Sequence, residues 1–248
     1  MPSILRSLVL AACIAIATPF PALAQSNAPQ PLSREQIEQI VREYLLNNPE
    51  IILEAVEGLE EKRRRAAEVE RRSTIGAKRD QIFNDPADPV AGNPQGDVTL
   101  VEFFDYRCPY CKQVAPALTQ LLKSDGKLRF VLKEMPILGP DSVMASRAAL
   151  AAQMQGKYLP MHERLLRHRG GYDMAVIERI AGDAGLDVAR LKTDMENPEI
   201  AAALEKNRRL AQELAITGTP AFVVGNRVVP GAADLETLKM LVAEARKR

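Results

Sequence analysis

The amino-acid sequence predicts an α/β protein, in which a small mixed β-sheet carries helices on both faces and a helical extension precedes the sheet. Residues 98–106 form an apolar run rich in β-branched and aromatic side chains, and residues 128–134 alternate apolar and polar side chains; both patterns are typical of strands. Residues 221–229 place a Gly-Asn pair between two short apolar runs, which predicts a tight hairpin. Residues 142–216 have helical periodicity and no strand pattern. This order of elements favours a mixed sheet covered by helices.

The start of the chain has the composition of an export signal. A basic residue, Arg6, precedes an apolar stretch over residues 8–17 and a small-residue cleavage pattern, which predicts a signal peptide at residues 1–24 cleaved after Ala24. The apolar stretch is too short to span a bilayer comfortably. The alternative is a lipoprotein signal, in which Cys13 becomes the acylated first residue. Because Cys13 follows Arg6 closely and the apolar run continues beyond it, soluble export is favoured.

Composition excludes some classes of function. The chain has 248 residues, of which 46% are hydrophobic and 26% charged, as is ordinary for a soluble globular protein. One of the 33 basic residues lies in the predicted leader, and the remaining 32 match the 32 acidic residues. This balance gives no basic excess that would indicate nucleic-acid binding. Two cysteines remain after the leader, and one closely spaced pair in an oxidising compartment indicates a reactive pair more than a structural one.

Residues 25–75 are predicted to be an N-terminal helical oligomerisation segment with a charged linker. Ser33 and Gln36 form a capping box at the start of a first helix, and a second helix follows. Both helices have an apolar stripe, and the charged run at 60–72 is typical of a solvated helix. Two such short helices have too little partner surface for a core of their own. We therefore expect residues 32–72 to pair with copies of themselves, in preference to folding back onto the main domain or lying on a membrane surface.

The main domain is predicted to begin near residue 76. A short strand at 81–84 and a loop at 85–97, rich in Pro, Gly, Asn and Asp, lead into the first long strand. A helix is predicted at 109–123, with Pro116 kinking it. A final helix follows the hairpin and runs to the end of the chain.

The motif C-P-Y-C lies where the first long strand meets this helix. A helix N-terminus supplies positive potential, which stabilises a thiolate, so Cys108 is placed to act as a nucleophile. Cys111 lies one turn later, within disulfide reach, and can resolve a mixed disulfide. The alternative is half a zinc site, but zinc needs four ligands, and His162 and His168 lie far along the chain. Redox chemistry without a metal or other cofactor is therefore favoured.

The elements around this motif resemble the bacterial DsbA type of thioredoxin-fold disulfide oxidoreductase. The resemblance rests on the strand at 101–105, the C-P-Y-C helix start, Pro116 five residues after Cys111, and the motif T-G-T-P at 217–220 before the hairpin. It implies a thioredoxin fold in residues 76–248, with a helical domain inserted at about 141–216. It also implies a periplasmic protein that acts on exported proteins with cysteines and exchanges electrons with a membrane thiol-electron transporter.

The resemblance also implies the residues that bind the substrate. In the family, the proline that matches Pro220 follows a cis peptide bond and faces the active-site sulfurs. Thr219 and Pro220 would therefore line the substrate groove, together with Pro109 and Tyr110 of the motif.

Glu102 is the other residue carried over from the family. On a strand, Leu100, Glu102 and Phe104 share a face, and a carboxylate among such neighbours is costly unless it is used or paired. The alternative is a charge that faces water. The resemblance implies a semi-buried acid beneath Cys111 that relays a proton during resolution.

Three features bear on the direction of the chemistry. Tyr110 stands where strongly oxidising members of the family have a histidine, and Thr219 before the proline resembles the isomerases. Residues 32–72 are similar to the N-terminal segment of the suppressor-of-copper-sensitivity C proteins, some of which are trimers that shuffle disulfides. We therefore expect a trimeric disulfide isomerase or reductase. The alternatives are a dithiol oxidase and a copper(I)-binding protein or chaperone with the sulfurs of Cys108 and Cys111 as ligands.

Overall fold

A computed structural model describes residues 31–247. The predicted signal peptide at 1–24, its cleavage after Ala24 and the lipoprotein alternative at Cys13 lie outside the described residues. Within 31–247, none of the helices combines the length and the hydropathy that a membrane crossing needs. The chain divides into two units, Met1–Glu57 and Gly58–Arg248.

The described part of the first unit is helical. Helix α1, Arg34–Asn47, begins at the predicted capping box: the Ser33 Oγ accepts from the Gln36 amide at 3.3 Å, and the Gln36 Oε1 accepts from the Ser33 amide at 2.9 Å. Helix α2, Glu50–Ala77, begins in this unit and is continuous through the charged run. No residue of α1 is buried. The apolar stripe of α1 is exposed at Ile37, Ile40, Val41 and Tyr44, and half-buried at Leu45.

The second unit is built on a five-stranded mixed sheet, which confirms the predicted fold class. Its strands are β1 (Val90–Gly92), β2 (Val98–Phe104), β3 (Leu128–Glu134), β4 (Ala221–Val224) and β5 (Arg227–Pro230). Their spatial order is β1-β3-β2-β4-β5. The β2 and β3 strands are parallel, and the other neighbours are antiparallel. The predicted hairpin is β4–β5.

Helices cover both faces of this sheet. They are α3 (Arg79–Phe83), α4 (Pro109–Ser124), α5 (Pro140–Gln153), α6 (Tyr158–Arg167), α7 (Met174–Asp183), α8 (Val188–Asp194), α9 (Pro198–Glu213) and α10 (Leu235–Arg246). One apolar core lies between the sheet and α4, α10 and most of the helical block α5–α8. A second core lies on the opposite face, against α3 and α9. Because both faces are covered, β2 is almost entirely buried, which explains its continuous apolar run.

The segment before β2 differs from the prediction. The strand predicted at 81–84 is wrong: these residues lie at the end of α3, where Ile82 and Phe83 pack with Ile75 against the second core. The predicted loop at 85–97 contains β1, whose Val90 is opposite Val131 of β3. Both elements are too short to show a periodicity of their own, and contacts distant in sequence define them.

Candidate active site

The two cysteines lie at the start of α4, the helix that follows β2. Cys108 is the N-cap of α4, and Pro109 is its first residue, a position where the missing N–H of proline is no loss. Cys111 follows in the first turn. Both cysteines are thiols; Cys108 is 4% exposed and Cys111 is 1% exposed. Tyr110 between them is 60% exposed, so the outer face of the motif is open to a macromolecular partner.

The T-G-T-P motif faces Cys108. The peptide bond Thr219-Pro220 is cis, as the resemblance implied, and β4 begins at the next residue. The Cys108 Sγ donates a hydrogen bond of 3.1 Å to the Thr219 carbonyl oxygen, across 111 residues of sequence. The fold therefore brings together the sulfur predicted to be the nucleophile and the backbone segment predicted to line the substrate groove.

Glu102 is buried in the centre of the sheet, and the alternative that it faces water is wrong. It lies on β2 between Leu132 of β3 and Phe222 of β4, and it is 3% exposed. No group within residues 31–247 donates a hydrogen bond to its carboxyl. Burial raises the pKa of Glu102 to about 8, and the nearby charges of Cys108 and Glu134 add to the rise.

Cys111 shares this environment. Burial raises the pKa of the Cys111 thiol far above its ordinary value, and the adjacent carboxyl of Glu102 adds to the rise. Cys111 is thus a protonated thiol at neutral pH and needs a base before it can attack. Glu102 is an acid of intermediate pKa in the same site, so it can exchange a proton near neutral pH.

A buried polar cluster, which the sequence did not predict, lies at the end of β3. The carboxyl group of Glu134 accepts hydrogen bonds from the Tyr158 hydroxyl at 2.6 Å, the Ser146 hydroxyl at 2.7 Å and the Tyr106 hydroxyl at 2.9 Å. Burial raises the pKa of Glu134 to about 8, while the three donors oppose the rise. Since Tyr106 is two residues before Cys108, this Glu134 cluster ties the catalytic turn to helices α5 and α6.

His162 belongs to the same cluster. Its Nδ1 lies 2.9 Å from the Tyr106 hydroxyl, and its ring packs edge-on against Phe104. Burial lowers the pKa of His162 to about 3, so the imidazole is neutral. No sequence signal pointed to it, because a histidine on a helix is usual and its partners come from distant elements.

A cleft of about 790 Å³ lies between α4 and α6 and reaches the sheet. Glu102 and His162 line it, together with Pro116 of α4 and Leu166 of α6. Glu102 is thus almost buried but not sealed from the cleft.

Comparisons with known proteins agree with this geometry. The DSBA-like thioredoxin domain matches residues 99–243, and the Copper resistance protein ScsC N-terminal domain matches residues 34–66. A solved thioredoxin-like oxidoreductase from Silicibacter pomeroyi is 47% identical, with a TM-score of 0.67, over 68% of this chain and 98% of that chain. A linker-deletion mutant of Proteus mirabilis ScsC is 29% identical, with a TM-score of 0.66, over 89% of this chain and 98% of that one.

Relatives much longer than this chain also match. The Na(+)/H(+) antiporter NhaA 3 of Salinispora tropica is 33% identical over 166 residues, which are 64% of this chain and 26% of the antiporter. The chain thus spans about a quarter of the length of such relatives. The domain match over residues 99–243, together with the dithiol at the start of α4, establishes the family. The chain belongs to the DsbA-like thiol-disulfide oxidoreductases of the thioredoxin fold and carries an N-terminal domain of the ScsC type.

Proposed function

We propose that the protein is a periplasmic disulfide isomerase or reductase, which acts on exported proteins through Cys108 and Cys111. The observation that carries the proposal is the contact of the Cys108 thiol with the Thr219 carbonyl oxygen, beside the exposed Tyr110. A substrate disulfide bound at this contact lies next to the nucleophilic sulfur of Cys108, and the substrate backbone can bind the backbone of Thr219 at the same time. Thr219, Pro220, Pro109 and Tyr110 are the proposed substrate contacts.

The first step is attack on the substrate. The Cys108 thiolate forms a bond to one sulfur of a substrate disulfide, the S–S bond of the substrate breaks, and the other substrate sulfur leaves as a thiolate that takes up a proton. The product is a mixed disulfide between Cys108 and the substrate. As the N-cap of α4, Cys108 lies at the positive end of the helix dipole, which favours its thiolate.

Two fates of the mixed disulfide separate reduction from isomerisation. In reduction, Glu102 takes the proton of Cys111, the Cys111 thiolate attacks the Cys108 sulfur, and the substrate leaves as a dithiol while Cys108 and Cys111 form a disulfide. Two electrons pass from the protein to the substrate. In isomerisation, a second substrate thiol attacks the mixed disulfide instead, so electrons balance within the substrate. After reduction, a membrane thiol-electron transporter supplies two electrons to restore the dithiol.

Two features favour isomerase or reductase over oxidase. Tyr110 carries no positive charge that could stabilise the thiolate further, and Thr219 precedes the proline, as in the isomerases that the sequence resembles. The match of residues 34–66 to the ScsC N-terminal domain is a third support. A signal peptide at 1–24 would deliver the chain to the periplasm.

Self-association is part of this proposal. We divide the mature chain into an oligomerisation segment at 25–75 and a catalytic domain at 76–248. The exposed apolar stripe of α1 supports a homo-oligomer, for which we favour a trimer, because such a stripe would be covered by copies of itself. Several active sites in one particle could then engage one misfolded substrate.

Refolding of scrambled ribonuclease tests the proposal. The reduced mature chain is expected to restore ribonuclease activity, because it attacks non-native disulfides and releases them to substrate thiols, and Cys108→Ala is expected to be inactive. Rapid oxidation of reduced ribonuclease, with no recovery from the scrambled form, would show a dithiol oxidase instead.

A second candidate function is copper(I) binding. The ScsC N-terminal domain matched by this chain is described as that of a copper resistance protein, and thiolates are the soft ligands that copper(I) prefers. Among residues 31–247, no group of three or more His, Cys, Asp or Glu side chains is arranged around a metal, so the two sulfurs would act as a pair. Copper(I) titration of the reduced protein tests this. A carrier binds one ion per site, loses it in Cys108→Ser and keeps it in Glu102→Gln.

A further inference from the structure

Three cationic side chains lie beside the attacking cysteine: Lys112 is close to Cys108, and Arg107 and Arg169 are close to Lys112. Arg107 directly precedes Cys108, and its guanidinium Nη1 donates to the Leu138 carbonyl oxygen at 2.9 Å. Lys112 lies one turn further along α4, where its amide bonds the Cys108 carbonyl oxygen at 3.2 Å. The side chain of Lys112 reaches across to the segment after α6, where its Nζ donates to the His168 carbonyl oxygen at 2.6 Å.

The third cation is Arg169, which follows His168 in this segment and is exposed. The Lys112 Nζ also donates to the Tyr172 hydroxyl at 3.2 Å, so α4 and the segment 168–172 are joined at this point. Burial lowers the pKa of Lys112, and repulsion from Arg169 and Arg107 adds to the fall while Asp105 opposes it. Lys112 therefore lies in the electrostatic field of both arginines.

Carboxylates do not neutralise this group. Within residues 31–247, Arg107, Lys112 and Arg169 have no Asp or Glu oxygen closer than 4.0 Å. Asp105 is fully buried, and its two oxygens are occupied by the donors Arg107 N, Ser142 Oγ, Ile137 N and Leu138 N. Asp141 accepts from the Tyr172 amide at 3.2 Å. Three cations thus lie near two carboxylates, those of Asp105 and Asp141, and Asp105 is buried, so the surface beside Cys108 keeps an excess of positive charge.

The cleft between α4 and α6 opens beside these cations. Lys112 and Arg169 line it, as does Arg167, which is paired with Glu163 at 3.2 Å. Glu102 at the base of the cleft adds a carboxyl that is largely protonated at neutral pH. A carboxylate at the mouth would thus meet Lys112 and Arg169 with little opposing charge.

We infer that Arg107, Lys112 and Arg169 form a cationic rim, which selects substrate polypeptides that carry Asp or Glu side chains close to the attacked disulfide. The inference rests on the proposed function and adds the class of substrate to it. Charge complementarity raises the rate of encounter and holds the substrate in register, whereas a basic segment is repelled.

Three disulfide-cyclised peptides test the inference. They differ only in the residues that flank their cysteines, which are acidic in the first peptide, neutral in the second and basic in the third. The second-order rate constant of each with the reduced full chain is divided by its rate constant with dithiothreitol, an uncharged dithiol, to remove differences in peptide reactivity. The normalised rate constant of the acidic peptide is expected to exceed that of the basic peptide by about tenfold or more at about 10 mM salt, where charges act over about 30 Å. At about 1 M salt, where charges act over about 3 Å, this acidic-to-basic ratio is expected to be close to one.

Charge variants assign the effect to the rim. Arg169→Gln and Arg107→Gln are each expected to lower the ratio by about twofold to threefold, and together to lower it further. Lys127→Gln removes the same charge beyond the other end of α4, a helix about 24 Å long by its rise per residue, and is expected to keep the wild-type ratio.

A ratio of one at low salt, or a ratio that the rim variants leave unchanged, overturns the inference while disulfide reduction itself stands. A reduced chain that cleaves none of the three peptides contradicts the proposed function, and the inference falls with it.

Discussion

The Sγ of Cys108 donates a hydrogen bond to the carbonyl oxygen of Thr219 at 3.1 Å, although 111 residues separate the two in the chain. The attacking sulfur and the first backbone acceptor of the proposed substrate groove therefore occupy the same point of the surface. Cys111 lies behind it, at 1% exposure, so a bulky substrate meets Cys108 first. This relationship supports different roles for the two sulfurs: attack on the substrate by Cys108 and resolution by Cys111.

Replacing either sulfur should stop the reaction at a different stage. Cys111→Ala is expected to accumulate a mixed disulfide with a peptide substrate, because the resolving sulfur is missing, whereas Cys108→Ala should form none. Intact-mass spectrometry without reductant measures the adduct. An adduct on Cys108→Ala would instead assign the attack to Cys111.

Glu102 should control the rate of resolution through its ionisation. The Cys111 thiol needs a base, and the carboxylate form of Glu102 grows as the pH rises through about 8. The first-order decay of the mixed disulfide should therefore rise with pH and level off above about 8 in the wild type. Glu102→Gln lacks the base and should resolve about 100-fold more slowly near neutral pH, the usual scale of general-base catalysis. A pH profile that the variant leaves unchanged would argue against a proton relay.

The same carboxyl should make stability depend on pH in a definite direction. In the unfolded chain Glu102 ionises near its ordinary pKa of 4.5, and in the folded protein near about 8. Between these values the folded state holds a proton that the unfolded state has lost, so rising pH destabilises the fold by at most about 1.4 kcal/mol per pH unit for this group. The stability of Glu102→Gln relative to wild type should thus increase from about pH 5 to about pH 8 and then level off. Denaturant unfolding across this range measures it, and parallel curves would contradict the raised pKa.

The Glu134 cluster should contribute to stability through its hydroxyl donors. Tyr158→Phe removes the donor at 2.6 Å and leaves the buried carboxyl group of Glu134 with one hydrogen bond fewer, which is expected to lower the free energy of unfolding by about 1 to 3 kcal/mol. The control is Tyr44→Phe on the exposed stripe of α1, for which a change within about 0.5 kcal/mol is expected. Equal effects of the two variants would mean that the hydroxyl of Tyr158 is not an important donor.

The apolar stripe of α1 should determine the molar mass in solution. Ile40 is 53% exposed, and Ile40→Lys is expected to weaken self-association by more than about tenfold, because burying such a side chain contributes about 1.5 to 3 kcal/mol. Gln39→Lys adds the same charge on the opposite side of the helix and should leave the mass unchanged. Light scattering over a concentration series measures both, and a wild-type monomer at all concentrations would remove the oligomer from the proposal.

Local patterns were sufficient for the main elements of the fold. A few consecutive residues are enough to predict β2 and β3 from their apolar runs, and the hairpin β4–β5 from its Gly-Asn turn. The strand β1 could not be found this way, because three residues among prolines and glycines become a strand only by pairing with β3, some 40 residues later. The helix α3 was wrongly predicted to be a strand because it too is short, and its packing against the second core depends on residues distant in sequence.

The site shows the same limit. The spacing of Cys108 and Cys111 predicts their chemistry, but their approach to Thr219 was implied by the family resemblance alone, since no local pattern encodes it. Glu134 ends an alternating strand, on the same face as Leu128, Phe130 and Leu132, and no role was predicted for it. Its burial is decided by Ser146 and Tyr158 in helices that fold over the sheet, and the sequence gives no sign of which strand end those helices cover.

The Glu134 cluster also limits how the protein can be recombined. Its members come from the strand β3, the catalytic turn at Tyr106 and the helical block at Ser146 and Tyr158. The helical block is therefore not an interchangeable module. A chimera that takes residues 140–213 from a relative would also have to take Glu134 and Tyr106 from that relative. The helical block and the turn that carries the two cysteines would therefore have to be exchanged as one unit.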